Sequence, residues 1–435
     1  MPFIYALYTI VAEDWIIRRG AASVVQNFAD KDLMYNTRLD GLTDYPFQRL
    51  AGLLAGVEPP HGRDPIVMSI GEPQHPAPAL LAETLAANAD GWGKYPPTAG
   101  TPEYRNAVAA WCTRRFELPD EFLDPDLNVL PLAGTREGLF MAAQLCIPPQ
   151  KNGGTPAVLM PNPFYQVYVG AAVMNGAAPI FVPAVKDSGF LPDYAGVSKT
   201  DLARTAMAYL CTPANPQGTV ADLDQLKTMI RLAREHDFVL ISDECYSEIY
   251  DDTPPPGALQ ACAELGEGLA NVLVFNSLSK RSSVPGLRAG FVAGDADLIA
   301  KFSKLRAHGG AVQPLPVMAA ATALWADEAH VETNRRLYRA KTDDAERILG
   351  PKFGFYRPKG GFFLWLDVGD GEKATQHLWK NAAVKVLPGA YLARESGPKN
   401  TNPGAAYIRV ALVHDQARTS AALARLAETL SASCL

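Results

Sequence analysis

The chain has 435 residues, of which 48% are hydrophobic and 20% charged, and its formal net charge is −6. This length predicts two domains, one of them smaller, and the composition is that of a folded enzyme, not a disordered chain. The acidic balance argues against a nucleic acid or an anionic membrane as partner. The six cysteines form no CxxC pair, which argues against disulfides and a metal site and favours a cytoplasmic protein.

The first 33 residues are unusual in composition. Residues 3–12 (FIYALYTIVA) are apolar, but no basic segment precedes them and no small-residue cleavage site follows. The run is also too short to span a bilayer. We therefore expect that Met34 is the natural start, that residues 1–33 are an extension, and that residues 34–80 form an arm packed against the small domain.

From about residue 130, short apolar runs alternate with helical periodicity, which predicts βαβ units around a mostly parallel sheet. In the clearest unit a strand at 206–210 is followed by a loop, an amphipathic helix and a strand at 238–242. Further elements are expected as strands at 156–160, 178–182 and 271–275 and as a helix at 136–146.

Three polar residues come just after apolar runs, namely Asn215, Asp243 and Lys280. In open α/β sheets ligands bind beyond the carboxyl ends of the strands, so we expect these side chains to share one edge of the sheet. A single lysine in a loop is usually a solvated surface charge, and only its companions give Lys280 significance.

After about residue 315 the pattern changes to a long helical stretch, apolar runs at 360–368 and 406–413, and a terminal helix. This succession predicts a smaller α+β domain. We place the large domain at residues 81–315 and the small domain at residues 316–435.

Six separated motifs resemble, in this order, those of the class I/II, fold type I aminotransferases that depend on pyridoxal 5′-phosphate. The motifs are SIGEP (69–73), GTREG (134–138), ANPQG (214–218), SDECY (242–246), SLSK (277–280) followed by Arg288, and YIRV (407–410). Each is weak alone, but their order and their positions at predicted strand ends make the set specific. The resemblance implies a large α/β domain, whose mostly parallel sheet is flanked by helices, and a smaller α+β domain.

The resemblance assigns the chemistry to a few residues. Lys280 would bond covalently to the cofactor and later move the substrate's Cα proton. Asp243 would pair with the pyridine nitrogen of the cofactor. Tyr246 and Asn215 would hydrogen-bond its phenolic oxygen, and Tyr165 would stack on its ring.

The phosphate of the cofactor would bind at a helix start formed by Gly134, Thr135 and Arg136, where backbone N–H groups and the helix dipole favour an anion. Ser277 and Arg288 would bind it from the other side. A Gly-Thr pair could equally be an ordinary helix cap.

The resemblance also places the substrate and a second subunit. Arg409 would bind the substrate α-carboxylate, and Gly71 would let the backbone approach the same group. Tyr95 would reach the phosphate of the neighbouring subunit, which implies a homodimer with shared active sites.

Longer strings at 36–50, 69–78 and 277–295 resemble the bacterial N-succinyldiaminopimelate aminotransferases. That resemblance implies transfer of an amino group between L-glutamate and N-succinyl-L-2-amino-6-oxopimelate in lysine biosynthesis. Both partners carry a carboxylate away from the reacting carbon, so a distal cation is expected. Where aspartate-type relatives have a specificity arginine, this chain has His308, and Arg136 and Arg306 remain as alternatives.

Other functions stay open. An aspartate, alanine or broad 2-oxo acid aminotransferase, or a C–S lyase, would use the same cofactor. A DNA-binding regulator is disfavoured because residues 1–33 are too short and insufficiently basic for a helix-turn-helix. A nicotinamide dehydrogenase is disfavoured because no GxGxxG motif follows a strand.

Overall fold

The structure is a computed structural model that describes residues 34–397 and 400–432. The predicted extension, residues 1–33, lies outside the described residues. The chain divides into two compact units, Met1–Thr37 and Arg38–Leu435. Every α-helix and β-strand of the described residues lies in the second unit.

The β-strands of the described residues are short and mostly buried. In chain order they are β1 (Ile66–Val67), β2 (Val129–Leu132), β3 (Ala157–Asn162), β4 (Ala178–Pro183), β5 (Thr205–Cys211), β6 (Val239–Asp243), β7 (Val272–Ser277), β8 (Gly290–Gly294), β9 (Phe363–Asp367), β10 (Val384–Lys385), β11 (Leu387–Pro388) and β12 (Tyr407–Ala411).

The α-helices of the described residues range from one turn to the 21 residues of the longest. They are α1 (Pro46–Leu53), α2 (Ala79–Ala87), α3 (Pro102–Phe116), α4 (Thr135–Cys146), α5 (Gln166–Met174), α6 (Lys199–Arg204), α7 (Leu223–Glu235), α8 (Ala258–Leu265), α9 (Leu278–Arg281), α10 (Ala296–Gly309), α11 (Leu315–Ala326), α12 (Ala329–Leu349), α13 (Gly371–Ala382) and α14 (Gln416–Ser431).

A seven-stranded sheet dominates the structure, in the order β2-β8-β7-β6-β5-β3-β4. Strands β7, β6, β5, β3 and β4 run parallel, and β8 is antiparallel to both of its neighbours. The predicted α/β class with a mostly parallel sheet is therefore confirmed. Because parallel strands end at the same edge, the carboxyl ends of β5, β6 and β7 lie side by side.

The sheet is buried on both faces, which explains why its strands read as continuous apolar runs. All seven residues of β5 are buried. Along β6, Leu240 packs in one hydrophobic cluster, whereas Val239 and Ile241 pack in another, as the alternation of side chains in a strand requires. The strand ends are thereby held in a rigid frame.

A third hydrophobic cluster forms around the smaller sheet β11-β12-β9, in which both pairings are antiparallel. Helices α12 and α14 contribute buried side chains to it. Strand β1 pairs in parallel with β10, and Met68 joins the same cluster. This contact agrees with an N-terminal arm that packs against C-terminal elements, while the domain boundaries stay a prediction.

Two strands of the large sheet, β2 and β8, were not predicted from the sequence, and the reason is visible in β8. Its five residues, GFVAG, begin and end with glycine, a residue that disfavours strands. It is stabilised by hydrogen bonds to the strands on both sides, β2 and β7. The five predicted strands of the large sheet are present, and their ends lie within two residues of the expected ones. The helix expected from residue 136 begins at Thr135.

Replacing Leu240 by alanine is expected to lower stability by about 3 kcal/mol, because its fully buried side chain would leave a cavity in the central strand. Leu127→Ala is the matched control, since Leu127 is 58% exposed. The thermal midpoints of the two cofactor-loaded variants provide the measurement. Equal midpoints would contradict the assignment of β6 to the core.

Candidate active site

A cavity of about 630 Å³ opens at the carboxyl edge of the large sheet. Eleven of the thirteen predicted site residues line it together: Gly71, Thr135, Arg136, Tyr165, Asn215, Asp243, Tyr246, Ser277, Lys280, Arg288 and Arg409. Segments far apart in the sequence thus supply one site. The remaining two predicted residues are Gly134 and Tyr95.

Lys280 lies on α9, directly after β7. Its Nζ donates a hydrogen bond to the carbonyl oxygen of Gly71 at 2.5 Å and lies 5.3 Å from the centre of the Phe362 ring. Burial lowers the pKa of the Lys280 amine to about 8, and the positive charge of Arg409 acts in the same direction. An amine in these surroundings is neutral for part of the time near neutral pH.

Asp243 ends β6 and is only 5% exposed. Its Oδ2 accepts a hydrogen bond of 2.6 Å from the hydroxyl of Tyr168, and its Oδ1 accepts one of 3.3 Å from the backbone N–H of Cys245. Burial raises the pKa of Asp243, and these hydrogen bonds oppose the rise. Among the described residues no cation lies within ion-pair distance of this carboxylate.

Arg409 lies on β12 and reaches the cavity from the smaller sheet. Its Nη1 donates to Oδ1 of Asn215 at 3.1 Å and its Nη2 to the carbonyl of Ser69 at 2.8 Å. Its Nε is buried and has no hydrogen-bond partner among the described residues. Burial lowers the pKa of Arg409 to about 10.

Tyr246 lies beside this group. Its side chain is buried, with edge contacts to the Phe362 and Phe363 rings. Burial raises the pKa of the Tyr246 phenol, whereas the positive charge of Arg409 opposes the rise.

A second group of polar residues lies where α4 begins. Gly134 has φ = 85°, and a Cβ there would collide with the guanidinium of Arg288, so glycine is required for Arg288 to come close. Arg288 also donates to the carbonyl of Pro285 at 2.8 Å. Gly134, although not part of the cavity wall, therefore shapes it.

The hydroxyl of Ser277 caps the short helix α9. It donates to the carbonyl of Ala289 at 3.0 Å, and it also lies 2.9 Å from the hydroxyl of Ser279. Ser279 lines the cavity as well. Thr135 also lines the cavity, and its Oγ1 lies 3.1 Å from the Sγ of Cys245.

Among the distal cations considered from the sequence, only Arg136 lines the cavity. Its Nε donates to the hydroxyl of Tyr165 at 2.8 Å. Arg306 is wrong as a candidate, because it is 2% exposed and its Nη1 forms an ion pair of 2.9 Å with Glu137. His308 is exposed on α10 and does not line the cavity.

Tyr95 is fully exposed and does not line the cavity of its own chain. Its predicted place in the site of a neighbouring subunit stays a prediction.

Tyr168, Ser279 and Cys245 were not predicted as site residues. Tyr168 had a sequence signal, because it follows Tyr165 by three residues at the start of a helix and so lies near it on the helix surface. Cys245 had none, since a cysteine between Asp243 and Tyr246 reads as a packing residue. Burial keeps the pKa of its thiol well above the ordinary value.

Two kinds of feature are absent from the part of the chain that the structure describes. No helix there is long and apolar enough to cross a membrane. No group of three or more His, Cys, Asp or Glu side chains there could hold a metal ion.

Comparisons with known proteins agree with this geometry. The family model for aminotransferases of class I and II matches residues 63–426. The 4-dedimethylamino-4-oxo-anhydrotetracycline transaminase OxyQ of Streptomyces rimosus is 33% identical over 82% of this chain and 92% of its own length. The LL-diaminopimelate aminotransferase of Desulforudis audaxviator is 31% identical over 89% of this chain and 96% of its own.

A solved structure is also similar. The crystal structure of an aminotransferase from Neisseria meningitidis shares 43% sequence identity with a TM-score of 0.86, covering 91% of this chain and 99% of that one.

The lowered pKa of Lys280 predicts unusual reactivity. In cofactor-free protein, labelling of this amine by an acylating reagent should rise with pH to a midpoint of about 8, because only the neutral amine reacts. Peptide mass spectrometry across pH measures this, with the exposed Lys301 as internal reference. A midpoint above pH 10 would mean that the amine of Lys280 is hydrated.

Proposed function

Because the chain belongs to the class I and II aminotransferases, which use pyridoxal 5′-phosphate, we propose that it transfers an amino group between L-glutamate and N-succinyl-L-2-amino-6-oxopimelate. This reaction would serve lysine biosynthesis through diaminopimelate. The observation that carries the proposal is one cavity shared by the amine of Lys280, the carboxylate of Asp243 and the guanidinium of Arg409.

The residues of the cavity fit the cofactor. Asp243 is a buried carboxylate without a cation among the described residues, and a protonated ring nitrogen would provide one. Arg288 and the start of α4 would hold a phosphate dianion, together with Ser277 and Ser279. Tyr246 and Asn215 would hydrogen-bond the phenolic oxygen, and Tyr165 would cover the ring face. When bound, the cofactor supplies an aldehyde that bonds to amines and a ring that withdraws electrons from the substrate Cα.

Lys280 would be the acid–base residue. Its Nζ would take the proton from the substrate Cα and deliver it again later, a task that suits an amine whose pKa of about 8 lies near the working pH. The carbonyl of Gly71 accepts from the same nitrogen and would orient its lone pair. Asp243 would keep its negative charge at the ring nitrogen, with the hydroxyl of Tyr168 holding Oδ2 in place.

Arg409 would bind the α-carboxylate shared by both amino donors and both 2-oxo acids. Its buried Nε has no partner among the described residues, and a carboxylate oxygen would satisfy it. The contacts to Asn215 and Ser69 fix the plane of the guanidinium, so one orientation of the substrate would be favoured.

Arg136 would bind the distal carboxylate. It lines the cavity and makes no ion pair among the described residues, and its Nε bond to Tyr165 leaves donors for a ligand. This favours substrates with a second carboxylate over alanine and pyruvate.

The similar proteins indicate a second candidate substrate, LL-diaminopimelate. One similar protein is an LL-diaminopimelate aminotransferase, and LL-diaminopimelate carries a distal carboxylate like the succinylated substrate but no succinyl group. Another acts on a tetracycline intermediate, so relatives of similar identity differ in substrate. Broad 2-oxo acid transamination and C–S lysis remain the weaker alternatives.

We also propose a cytoplasmic homodimer with shared active sites. Tyr95 and Trp92 are 102% and 56% exposed, and Ile70 at the cavity wall is 44% exposed. Exposed aromatic and aliphatic side chains of this kind favour contact with a second copy. Light scattering would give the mass, and a monomer active at nanomolar concentration would contradict shared sites.

A substrate panel tests the reaction. With glutamate as donor, kcat/KM for N-succinyl-L-2-amino-6-oxopimelate is expected to exceed that for oxaloacetate and pyruvate by about tenfold or more, as extra binding contacts allow. LL-diaminopimelate with 2-oxoglutarate is the parallel assay for the second candidate. Preference for oxaloacetate by a wide margin would overturn both.

Two arginine variants separate the carboxylate sites. Arg136→Gln should lower kcat/KM for dicarboxylic substrates about tenfold to a hundredfold and change that for alanine much less. Arg409→Lys should lower kcat/KM for every amino acid tested, because a lysine cannot make the bidentate contact. Equal losses with alanine and glutamate in the Arg136 variant would show that Arg136 does not bind the distal carboxylate.

A further inference from the structure

The segment that carries Lys280 depends on a donor from outside it. Helix α9 has only four residues, so its last carbonyl groups have no partner within the helix. Asn334, on α12 and 6% exposed, donates from Nδ2 to the carbonyls of Lys280 at 3.1 Å and Arg281 at 3.2 Å. One buried amide therefore terminates the helix at the reactive lysine.

The same amide also holds His75. Both hydrogens of Asn334 Nδ2 are used, so Oδ1 must accept, and it lies 2.6 Å from Nδ1 of His75. Nδ1 of His75 is therefore the donor. The His75 ring packs 4.5 Å from the ring of Tyr338, and the hydroxyl of Ser283 donates to the His75 carbonyl at 3.1 Å.

His75 ends a segment, residues 69–75, whose backbone contacts both Lys280 and Arg409. In residues 69–75, the carbonyl of Ser69 accepts from Arg409 and the carbonyl of Gly71 accepts from Nζ of Lys280. The segment is held at one end by these two cations and at the other by the bond from His75 to Asn334. A shift at His75 would move the carbonyl that orients the amine.

Contacts from α12 and from Glu328, the residue before it, hold the residues that follow Lys280. Arg281 pairs with Glu328 at 2.6 Å, and His330 lies 2.8 Å from the hydroxyl of Ser282. These contacts fix the chain beyond Lys280. Only Asn334, among these, bonds to the Lys280 backbone and to the segment that contacts its side chain.

We propose that Asn334 and His75 are positioning residues for Lys280, which fix its backbone through one amide and its amine through the carbonyl of Gly71. Neither residue lines the main cavity; both line a second cavity of about 660 Å³. They act through Lys280 and touch neither substrate nor cofactor. The inference rests on the family chemistry of Lys280, not on the identity of the acceptor.

The test compares variants of the cofactor-loaded enzyme. Asn334→Ala should lower kcat for the glutamate half-reaction about tenfold or more while KM for glutamate changes less than about threefold, because the amine and not the substrate loses its position. The midpoint of the pH titration of the visible cofactor band should shift relative to that of the unaltered protein. His75→Ala should show the same fall in kcat and a similar shift of the band. His75→Asn, which keeps a hydrogen-bond donor, should restore most of the lost kcat.

Thr333→Ala is the matched control, because Thr333 is exposed and its hydroxyl, among the described residues, bonds to Ala329 and Arg336 within α12. A lowered thermal midpoint for Asn334→Ala with kcat and band titration equal to the control would overturn the proposal and leave a structural role. If His75→Asn does not restore activity, His75 is not a positioning residue for Lys280. If the unaltered enzyme transaminates glutamate but not the succinylated acceptor, the acceptor proposal fails and this one is still tested.

Discussion

The parallel direction of β5, β6 and β7 is the constraint on which the site depends. Parallel strands end at one edge, so the residues that follow them meet there without any further folding device. Asn215, Asp243 and Lys280 come from three different strand ends and line one cavity. The burial of the sheet on both faces fixes these ends with the rigidity of a packed core.

Within that frame, the structure accepts groups that are costly to bury. Among the described residues, Asp243 has no counter-ion, Lys280 has a carbonyl instead of a carboxylate, and Nε of Arg409 has no hydrogen-bond partner. A buried charge without compensation destabilises a fold. The opposite charges of a cofactor and a substrate would supply the compensation, so the ligands would complete the electrostatics of the protein as well as its chemistry.

The sequence predicted the class, the family and eleven of the residues that line the cavity, because the motifs fall at strand ends and strand ends are recognisable from apolar runs. It did not predict β8, where two glycines weaken the local signal and only the neighbouring strands stabilise the pairing. It also retained Arg306 as a candidate cation, since a sequence does not show that Glu137 neutralises it. Asn334 bonds to His75 and to the backbone of Lys280, which are distant in the sequence, and no local pattern records such contacts.

The distribution of the site along the chain has a consequence for synthesis. The residues that line the cavity extend from Tyr45 to Arg409, and the parallel partner of β1 is β10, which is far from it in the sequence. Domains generally fold as the ribosome delivers them, and the large sheet would be complete once β8 has emerged. Residues 69–75, which contact Lys280, also contact Arg409 on β12, the last strand. They can therefore reach their final position only when translation is nearly complete. Until then a nascent chain would carry a formed large sheet and an incomplete cavity.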